Sequence, residues 1–340
     1  MYQHLQTPVG DFMRHTFKNT ASGNSFSVVA EQGATLTDLT FMYNGEPHHL
    51  IAGYDKADAL IAYKGSRSAW LLPFPNRLKG GQYTFEGQTY QFPIHEDKNG
   101  RQNTLHGFRK PRRFELLDSV TSESSASATF GYDYDGRESY YPFAFRVAIT
   151  YTIGDTDRTL DIKIELENTG SGNMPIGLGW HPYFQFSNKN NPTNVHDRID
   201  KVGIQLPRVQ RVAVDGHQIP TGALEDFDDY NTESVPGLRE YDDCFKLVDT
   251  SEGRAHTLFK YDTVYMRLWQ QTGEGGFNYL QMYTPEDRLS IAVEPMTCNI
   301  NAFQNGDGLI VLSAGQKHTL ECGIDVNAVG YEDDLMESRA

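Results

Sequence analysis

The most restrictive feature of this 340-residue chain is a strict alternation of apolar and polar residues over positions 145–166. Apolar side chains occupy every second position of 145–153, and the same period resumes over 160–166 after a polar turn. A period of two residues places successive side chains on opposite faces of a β-strand. The pattern therefore predicts a long antiparallel hairpin with one buried face, which is typical of an antiparallel sheet.

Strand patterns of this kind recur along most of the chain. A second hairpin is predicted over residues 83–92, where Gly87 can take the positive φ that a tight turn requires. No segment of twelve or more residues carries an apolar stripe at the helical period, so we expect few and short helices. Further strand-like runs lie at 264–269, 279–283, 289–294, 309–312 and 318–324.

The strand patterns continue from about residue 25 to residue 326 without a linker rich in Gly, Ser or Pro. Length alone favours about two domains, but the unbroken succession of strands argues against a division. We predict an all-β chain with few short helices, folded as one large antiparallel β-sandwich that forms a single catalytic domain over residues 1–328. Residues 329–340 are predicted to form an acidic C-terminal tail.

The charge balance narrows the range of partners. With 45 Asp and Glu against 30 Lys and Arg, the formal charge is −15, and like charge disfavours binding to nucleic acid or to an anionic membrane. The N-terminus lacks the basic and apolar regions of a signal peptide, and the longest stretch without Asp, Glu, Lys or Arg, near residues 171–187, is interrupted by Gly, Pro and Asn. We expect a cytoplasmic monomer or homodimer whose three cysteines are free thiols.

One predicted strand combines two glycines with a histidine. Alternation over 176–181 places Gly177, Gly179 and His181 on one face. Glycine weakens a strand and is often kept where a ligand or another backbone comes close, so a flat shelf beside His181 is one explanation. The alternative is a structural, hydrogen-bonded histidine before Pro182.

The run 289–294 repeats this arrangement. Alternate residues beginning at Leu289 are predicted to face the core, while Ser290 and Ala292 leave space beside Glu294 on the opposite face. The alternative for Glu294 is a solvated or ion-paired carboxylate at the end of a strand. The two strands together offer small residues and one ionisable group each to a shared space.

Three other segments supply polar candidates. His106 lies in Leu105-His106-Gly107, Asn76-Arg77 follows an apolar run, and Asp242 begins an acidic pair before a strand pattern. Each has an ordinary structural alternative: a hydrogen-bonded imidazole, a turn with a surface arginine, and a charged entry to a strand.

At these places the sequence resembles the aldose 1-epimerase (galactose mutarotase) family. The order and spacing of the matching segments between residues 76 and 312 indicate the family more strongly than any one of them. The segments are Asn76-Arg77-Leu78, Leu105-His106-Gly107, His181-Pro182-Tyr183-Phe184, Tyr241-Asp242-Asp243-Cys244-Phe245, Val293-Glu294-Pro295-Met296-Thr297, Asn301-Ala302-Phe303 and Gly308-Leu309-Ile310-Val311-Leu312.

The resemblance implies the galactose mutarotase-like supersandwich and a small-molecule sugar as substrate, and the acidic charge favours a neutral hexose or related aldose. A base takes the proton of the anomeric hydroxyl, an acid protonates the ring oxygen, and the opened sugar recloses as the other anomer, so neither a cofactor nor a metal is required. The implied site residues are Glu294 as general base, His181 as general acid, His106 as a second imidazole at the sugar, Arg77 and Asp242 as hydroxyl ligands, and Asn76 as a further substrate-binding residue.

The sequence departs from the common family pattern at Phe108, Gln185-Phe186 and Asn299-Ile300, and we expect these positions to bear on which sugar fits. Aromatic faces that could stack on a sugar are those of Trp180, Trp269 and Tyr183, with core packing as the alternative for each.

Three other functions remain open. The first is a non-catalytic carbohydrate-binding module on the same fold. The second is a hexose-6-phosphate epimerase, which requires a cationic pocket. The third is a zinc site of the His₂Glu type formed by His106, His181 and Glu294. The cations available to the second are Lys79, Arg109, Lys110, Arg112 and Arg113.

Overall fold

The structure, a computed structural model, describes residues 1–43, 45–98, 100–156, 158–186, 199–261 and 264–328, so the predicted tail at 329–340 lies outside the described residues. In these ranges the strands are β1 (Tyr2–Val9), β2 (Phe12–Asn19), β3 (Ser25–Val29), β4 (Thr35–Tyr43), β5 (Glu46–His49), β6 (Ala69–Leu71), β7 (Arg77–Lys79), β8 (Gln82–Phe85), β9 (Gln88–Gln91), β10 (Glu96–Lys98), β11 (Arg101–Leu105), β12 (Glu115–Thr121), β13 (Ser125–Tyr134), β14 (Phe145–Gly154), β15 (Thr159–Asn168), β16 (Met174–Ile176), β17 (Gly179–His181), β18 (Tyr183–Phe184), β19 (Gly203–Gln205), β20 (Val209–Val214), β21 (Pro220–Phe227), β22 (Asp242–Leu247), β23 (Arg254–Tyr261), β24 (Val264–Gln271), β25 (Tyr279–Tyr283), β26 (Ile291–Met296), β27 (Ile310–Leu312) and β28 (Lys317–Ala328).

Helices are few and short in the described ranges, as the sequence predicts. None of them has the length and hydropathy that crossing a bilayer requires. The helical segments are α1 (Ala57–Ala62), α2 (Ala302–Asn305) and single 3-10 turns at Ala30–Gln32, Lys64–Ser66 and Ile199–Lys201.

The predicted long hairpin lies inside an antiparallel eight-stranded sheet, which we call the framework sheet, with the order β12-β13-β14-β15-β28-β24-β23-β19. β14 and β15 pair over their full length, with Ile149 opposite Ile164. Every second residue of β14 is buried, as the alternation predicts. The hairpin over 145–166 is therefore confirmed.

A second eight-stranded sheet, which we call the site sheet, has the order β21-β20-β22-β25-β26-β17-β6, with β18 paired to β26 at the side. Its strands at the centre are short, between two and six residues. Short strands allow the chain to leave the sheet often, which brings distant segments of the sequence to one surface.

The remaining strands form smaller antiparallel sheets. β1 to β5 make a five-stranded sheet in chain order, and β10, β11 and β7 make a three-stranded sheet beside the site. β8 and β9 are the predicted second hairpin, turned at Glu86 and Gly87 with φ of 47° and 80°. β16 and β27 pair separately.

The core lies between the sheets and is joined across them by both rings and hydrogen bonds. Phe184 of the site sheet and Phe259 of the framework sheet pack with centroids 5.0 Å apart. Trp70 Nε1 on β6 donates to the hydroxyl of Tyr151 on β14 at 2.8 Å, and that hydroxyl donates to the carbonyl of Ala34 at 2.8 Å. The two large sheets are thus held in a fixed relation, as expected for an all-β antiparallel sandwich.

Two predicted strands differ from the structure. The run 176–181 is broken after Ile176, because Gly177 N–H donates to a carbonyl of Pro73 and leaves the ladder. The run 289–294 begins as a strand only at Ile291. Leu289 is 39% exposed and does not face the core, because the preceding turn still holds its N–H on the Asp287 carboxylate.

Candidate active site

Four polar side chains occupy neighbouring strands of the site sheet. Asp242 begins β22, Gln281 lies on β25, Glu294 on β26 and His181 ends β17, and these strands are adjacent in that order. Gln281 and Glu294 are direct partners in the register of β25 and β26. Adjacent strands lie about 4.8 Å apart, so the four groups form a continuous polar row across the sheet.

His181 and Glu294 make a close, buried pair. His181 Nε2 lies 3.3 Å from Glu294 Oε1, and the two side chains are 7% and 2% exposed. The His181 ring stacks in parallel on Tyr183 with centroids 5.0 Å apart, which fixes its orientation. Within the described residues, His181 Nδ1 and Glu294 Oε2 are buried without a hydrogen-bond partner. Buried polar atoms are usually satisfied, so these two atoms mark a place where a ligand is expected.

Burial moves the two pKa values in opposite directions. It raises the pKa of Glu294 well above the usual value for a carboxyl group, an effect that the charge of Asp242 increases and that of Arg77 opposes. Burial also lowers the pKa of the His181 imidazole to about 3. Both shifts arise because the charged form of each group loses its hydration in the core.

Asn76 and His106 hold each other through reciprocal hydrogen bonds. The N–H of Asn76 donates to His106 Nδ1 at 3.1 Å, and the N–H of His106 donates to the Asn76 carbonyl at 2.7 Å. Both residues have a left-handed backbone with φ of 57°. Burial, His181 and Arg77 hold the pKa of His106 well below its usual value. Because Nδ1 accepts and the ring is neutral, Nε2 carries the proton and is a donor.

Arg77 is the centre of a charged network beside the row. Its Nε donates to both oxygens of Glu96 at 3.1 and 3.0 Å, and its Nη2 lies 3.4 Å from Asp242 Oδ2. Burial alone would raise the pKa of Glu96, but hydrogen bonds from Arg77 and Asn103 outweigh it and lower that pKa. Gln281 completes the network, since it accepts from Asn76 and donates to Asp242, each at 2.9 Å.

These groups surround a cavity of about 450 Å³, which we call the site cavity. Of the aromatic candidates, Tyr183 lines it, whereas Trp180 is fully buried in the core and Trp269 packs beneath Arg254. All six residues that the sequence analysis selected line the site cavity: Asn76, Arg77, His106, His181, Asp242 and Glu294.

Sequence reasoning missed six residues of the cavity wall, namely Gly65, Ser66, Glu96, Arg101, Gln281 and Tyr283. Gln281 carried a usable signal, because it is a lone amide within an apolar predicted strand and is only 3% exposed. Glu96 and Arg101 lie next to a short turn, where charged residues are ordinary, and nothing in the sequence marks them.

The interpretation of the glycines as a ligand shelf is wrong. A Cβ at Gly177 would lie 2.5 Å from Cys298 Sγ, and one at Gly179 would lie 2.8 Å from Pro75 Cβ. The glycines are therefore required by close packing of the protein on itself. Likewise, Ala292 is small because it packs against Tyr183 in a separate apolar cluster.

The positions that depart from the family pattern do not line the site cavity. Phe108 packs beneath Arg112 at 3.8 Å, Phe186 packs on Phe259, and Asn299 bonds to Asp307. The expectation that these residues bear directly on the sugar is not supported.

The geometry does not support the two alternatives in which the site binds a sugar phosphate or a zinc ion. The five cations considered for a phosphate lie outside the lining of the site cavity. Arg112, for example, is paired with Glu138 at 2.9 Å. Among the described residues, no three His, Cys, Asp or Glu side chains make a group that could hold a metal ion, so His106, His181 and Glu294 do not form the zinc site considered above.

Comparison with known proteins identifies the family and agrees with the fold. A model of the aldose 1-epimerase family matches residues 15–325. The uncharacterized protein YihR of Escherichia coli (strain K12) is 28% identical over 310 residues, which cover 88% of this chain and 90% of YihR.

Two solved structures show the same fold. A galactose mutarotase-like protein from Clostridium acetobutylicum has a TM-score of 0.80 at 16% identity, covering 96% of this chain and 99% of that one. Galactose 1-epimerase from Lactobacillus acidophilus NCFM has a TM-score of 0.77 at 13% identity, with coverage of 96% and 99%. Because the family model spans nearly the whole chain, this protein belongs to the aldose 1-epimerase family.

Proposed function

We propose that this protein is a mutarotase that interconverts the α and β anomers of an aldose by opening and reclosing the ring. The observation that carries the proposal is the His181–Glu294 pair, two contacting side chains that line a polar cavity and in which Glu294 Oε2 is buried without a partner. A donor and an acceptor side by side are what a reaction needs when one proton is removed and another is supplied.

The proposed reaction transfers two protons. Glu294 takes the proton of the C1 hydroxyl, the C1–O5 bond breaks as C1=O forms, and His181 gives its proton to O5. Rotation about C1–C2 presents the other face of the aldehyde. The O5 hydroxyl then returns its proton to His181 as it attacks C1, and Glu294 protonates O1. Atoms and charges balance over the cycle, because each group ends in the state in which it began.

Burial makes the charged form of each group more reactive and also less populated. A carboxylate whose pKa is raised by burial is a stronger base, and an imidazolium whose pKa is lowered to about 3 is a stronger acid. In the active form the pair carries one proton, on His181. The neutral form carries the same proton on Glu294, and the 3.3 Å contact allows direct exchange between them.

The polar network supports binding of the sugar hydroxyls. The guanidinium of Arg77 and the carboxylate of Asp242 are a donor and an acceptor at the cavity wall, and His106 adds a neutral N–H donor. Arg77, Asp242 and Gln281 already bond to one another, so little reorganisation is needed on binding. The negative formal charge of −15 fits a neutral sugar better than a phosphorylated one.

The test is the polarimetric relaxation of freshly dissolved α-aldoses, including D-glucose, D-galactose, D-xylose and L-arabinose. The protein is expected to accelerate the relaxation of at least one. Glu294→Gln should lower kcat by about 10²- to 10⁴-fold, the usual value of one positioned proton transfer. Glu165→Gln on β15, whose side chain is 52% exposed, is the matched control and should leave kcat unchanged.

Two outcomes would contradict the proposal. The first is Glu294→Gln with undiminished activity. The second is sugar binding by calorimetry without acceleration of any aldose in the panel, which would favour the non-catalytic carbohydrate-binding module.

A further inference from the structure

A second cavity adjoins the site cavity at His106, which lines both, and has no part in the proposed reaction. It encloses about 290 Å³. Three cationic side chains line it, those of Arg109, Lys110 and Arg112, and no Asp or Glu of the described ranges does. We call it the cationic cavity. A chain with a formal charge of −15 thus contains one cavity whose charged side chains are all positive.

The cations belong to one short segment of the chain, between β11 and β12. Residues 109–113 contain four Lys and Arg and no Asp or Glu. Both Arg109 and Lys110 are exposed, and within the part of the chain that the structure describes neither forms an ion pair with a carboxylate. Like charges that lie close together repel one another, and the repulsion is removed when an anion binds among them. The segment therefore has the charge and the access that an anion requires.

Arg112 is held in place by an aromatic ring and by one carboxylate. Its guanidinium carbon lies 3.8 Å from the centroid of the Phe108 ring, and its Nη1 lies 2.9 Å from Glu138 Oε1. Among the described residues no acceptor pairs with Arg112 Nε, which is buried, so Glu138 satisfies only part of the guanidinium. Phe108 is one of the positions that depart from the family pattern. Its contact with Arg112 indicates that this departure serves the cationic cavity and not the sugar site.

The backbone of this segment is anchored on both sides of the exposed cations. The N–H of Phe108 donates to the carbonyl of Leu72 at 2.7 Å, and the carbonyl of Arg112 accepts from the N–H of Gly33 at 2.9 Å. Only three residues, 109–111, lie between the two anchors. A binding site whose backbone is fixed in advance loses less conformational freedom when the ligand arrives.

We propose that the cationic cavity binds a phosphate group as a ligand separate from the sugar. A phosphate group carries between one and two negative charges near neutral pH, which the three cations offset. The planar fork of an arginine matches two oxygens of a phosphate, and lysine adds a compact positive charge. None of the three cations lines the site cavity, so a sugar and a phosphate can be bound at the same time. The inference does not depend on the proposed mutarotase function.

The first experiment is calorimetric titration of the protein with inorganic phosphate, at an ionic strength fixed with sodium chloride. The wild type should show saturable binding. Arg109→Ala and Lys110→Ala should each lower the affinity about tenfold or more, because each removes a charged hydrogen-bond donor. Arg113→Ala is the matched control: it removes one cation of the same segment, but its side chain is 74% exposed and lines neither cavity. Its phosphate affinity should equal that of the wild type.

Two results of this titration would overturn the inference. One is the absence of saturable binding to the wild type. The other is an equal loss of affinity in Arg109→Ala and Arg113→Ala, which would show that phosphate responds only to the general surface charge. Thermal melts of the variants, which alter exposed side chains, are the control for folding.

The second experiment distinguishes free phosphate from a phosphate ester with an apolar body. Trp70, Pro111 and Phe114 also line the cationic cavity, so part of its wall is apolar. Phenyl phosphate is the probe, titrated in the same way as inorganic phosphate. Tighter binding of phenyl phosphate supports an ester as the ligand, and tighter binding of inorganic phosphate supports the free ion. An affinity for phenyl phosphate that Arg109→Ala does not lower would overturn the phosphate site.

The third experiment tests whether the phosphate and the sugar bind separately. The phosphate titration is repeated with the wild type in the presence of a saturating aldose that the protein converts, and phosphate should still bind. Loss of phosphate binding under these conditions, or competitive inhibition of the aldose by phosphate, would place the anion in the site cavity and overturn the inference. Inactivity on every aldose contradicts the proposed function and leaves the result of the first titration intact.

Discussion

The two eight-stranded sheets of this molecule both bury apolar side chains, but the site sheet also buries a histidine beside a carboxylate. On the framework sheet, Ile149 and Ile164 face each other and both are fully buried. On the site sheet the central strands bury His181, Gln281 and Glu294 at 5%, 3% and 2% exposure. The first sheet gains stability from apolar burial. The second contains polar groups whose burial costs stability unless they are paired.

The difference indicates that one part of the fold mainly provides stability, whereas another part carries the groups of the proposed function. The framework sheet can hold the molecule together while the site sheet carries unpartnered atoms and residues with positive φ near it. Trade-offs of this kind are common where a site needs groups in unfavourable environments. Substitutions in the site sheet should therefore lower kcat with little change in stability. Substitutions in the framework sheet should lower stability with little change in kcat.

The largest effect is expected from His181→Asn. Loss of the proposed acid should lower kcat at neutral pH about 10²- to 10⁴-fold, with little change in thermal stability. In the wild type, kcat/KM should fall as pH rises through the raised pKa of Glu294, because the pair then loses the proton that His181 transfers to O5. In the variant Glu294 must act alone as a base, so the residual rate should rise over the same pH range.

The measurement is the pH profile of kcat/KM by polarimetry for both proteins. A variant profile that still falls toward alkaline pH would show that His181 does not supply the proton. Equal thermal melts of the two proteins are the control for folding.

The second largest effect is expected from Ile149→Ala, a substitution in the framework sheet. Truncation of a fully buried isoleucine leaves a cavity between Phe130 and Ile164, its partners on β13 and β15, and should lower the free energy of unfolding by about 2–5 kcal/mol. The folded fraction should keep the wild-type kcat. Urea unfolding and polarimetry measure the two quantities. Lys163→Ala, an exposed change on β15, is the control and should alter neither.

A kcat that falls in parallel with stability in the Ile149→Ala protein would break the comparison between the sheets. It would show that the framework sheet also sets the geometry of the site.

The smallest effect is expected for Glu294→Gln, which should raise the free energy of unfolding, whereas Ile149→Ala lowers it. Because the folded pKa of Glu294 is raised, the native protein binds more protons than the unfolded chain above the ordinary carboxyl pKa. Wild-type stability therefore falls by up to about 1.4 kcal/mol per pH unit as pH rises through that window. Glutamine does not titrate, so the variant should gain in relative stability toward neutral pH.

Thermal melts of both proteins over a pH series check this sign. Glu165 is an exposed carboxylate on the framework sheet. The difference in melting temperature between Glu165→Gln and the wild type should not widen with pH. A Glu294→Gln protein that is less stable than the wild type at neutral pH would indicate that the carboxylate is stabilising where it lies.

The framework sheet was the easier part to predict from the sequence. The hairpin of β14 and β15 joins neighbours in the chain through a short turn, so its period of two and its register follow from local pattern. The site sheet combines short strands from distant segments. The strand expected over 176–181 is broken because Gly177 bonds to Pro73, more than a hundred residues earlier, which no local pattern contains.

The candidate site was predictable only where residues match the family pattern. Residue patterns and the resemblance together selected six residues, and the structure brings all six to one cavity. Gln281 and Glu96 were missed because their importance lies in bonds to Asn76, Asp242 and Arg77, which depend on the tertiary fold. The glycines were misread for the same reason, since their neighbours Pro75 and Cys298 are distant in the sequence.

The polar row across the site sheet has a consequence for how such a protein can change over generations. Its members come singly from four strands, so shifting any strand by one residue would turn that member to the opposite face. Insertions and deletions within these strands should therefore abolish activity. New substrate preferences have to arise from changes in the connecting loops. The connecting segment 63–68, whose Gly65 and Ser66 line the site cavity, is where we expect descendants of this chain to diversify.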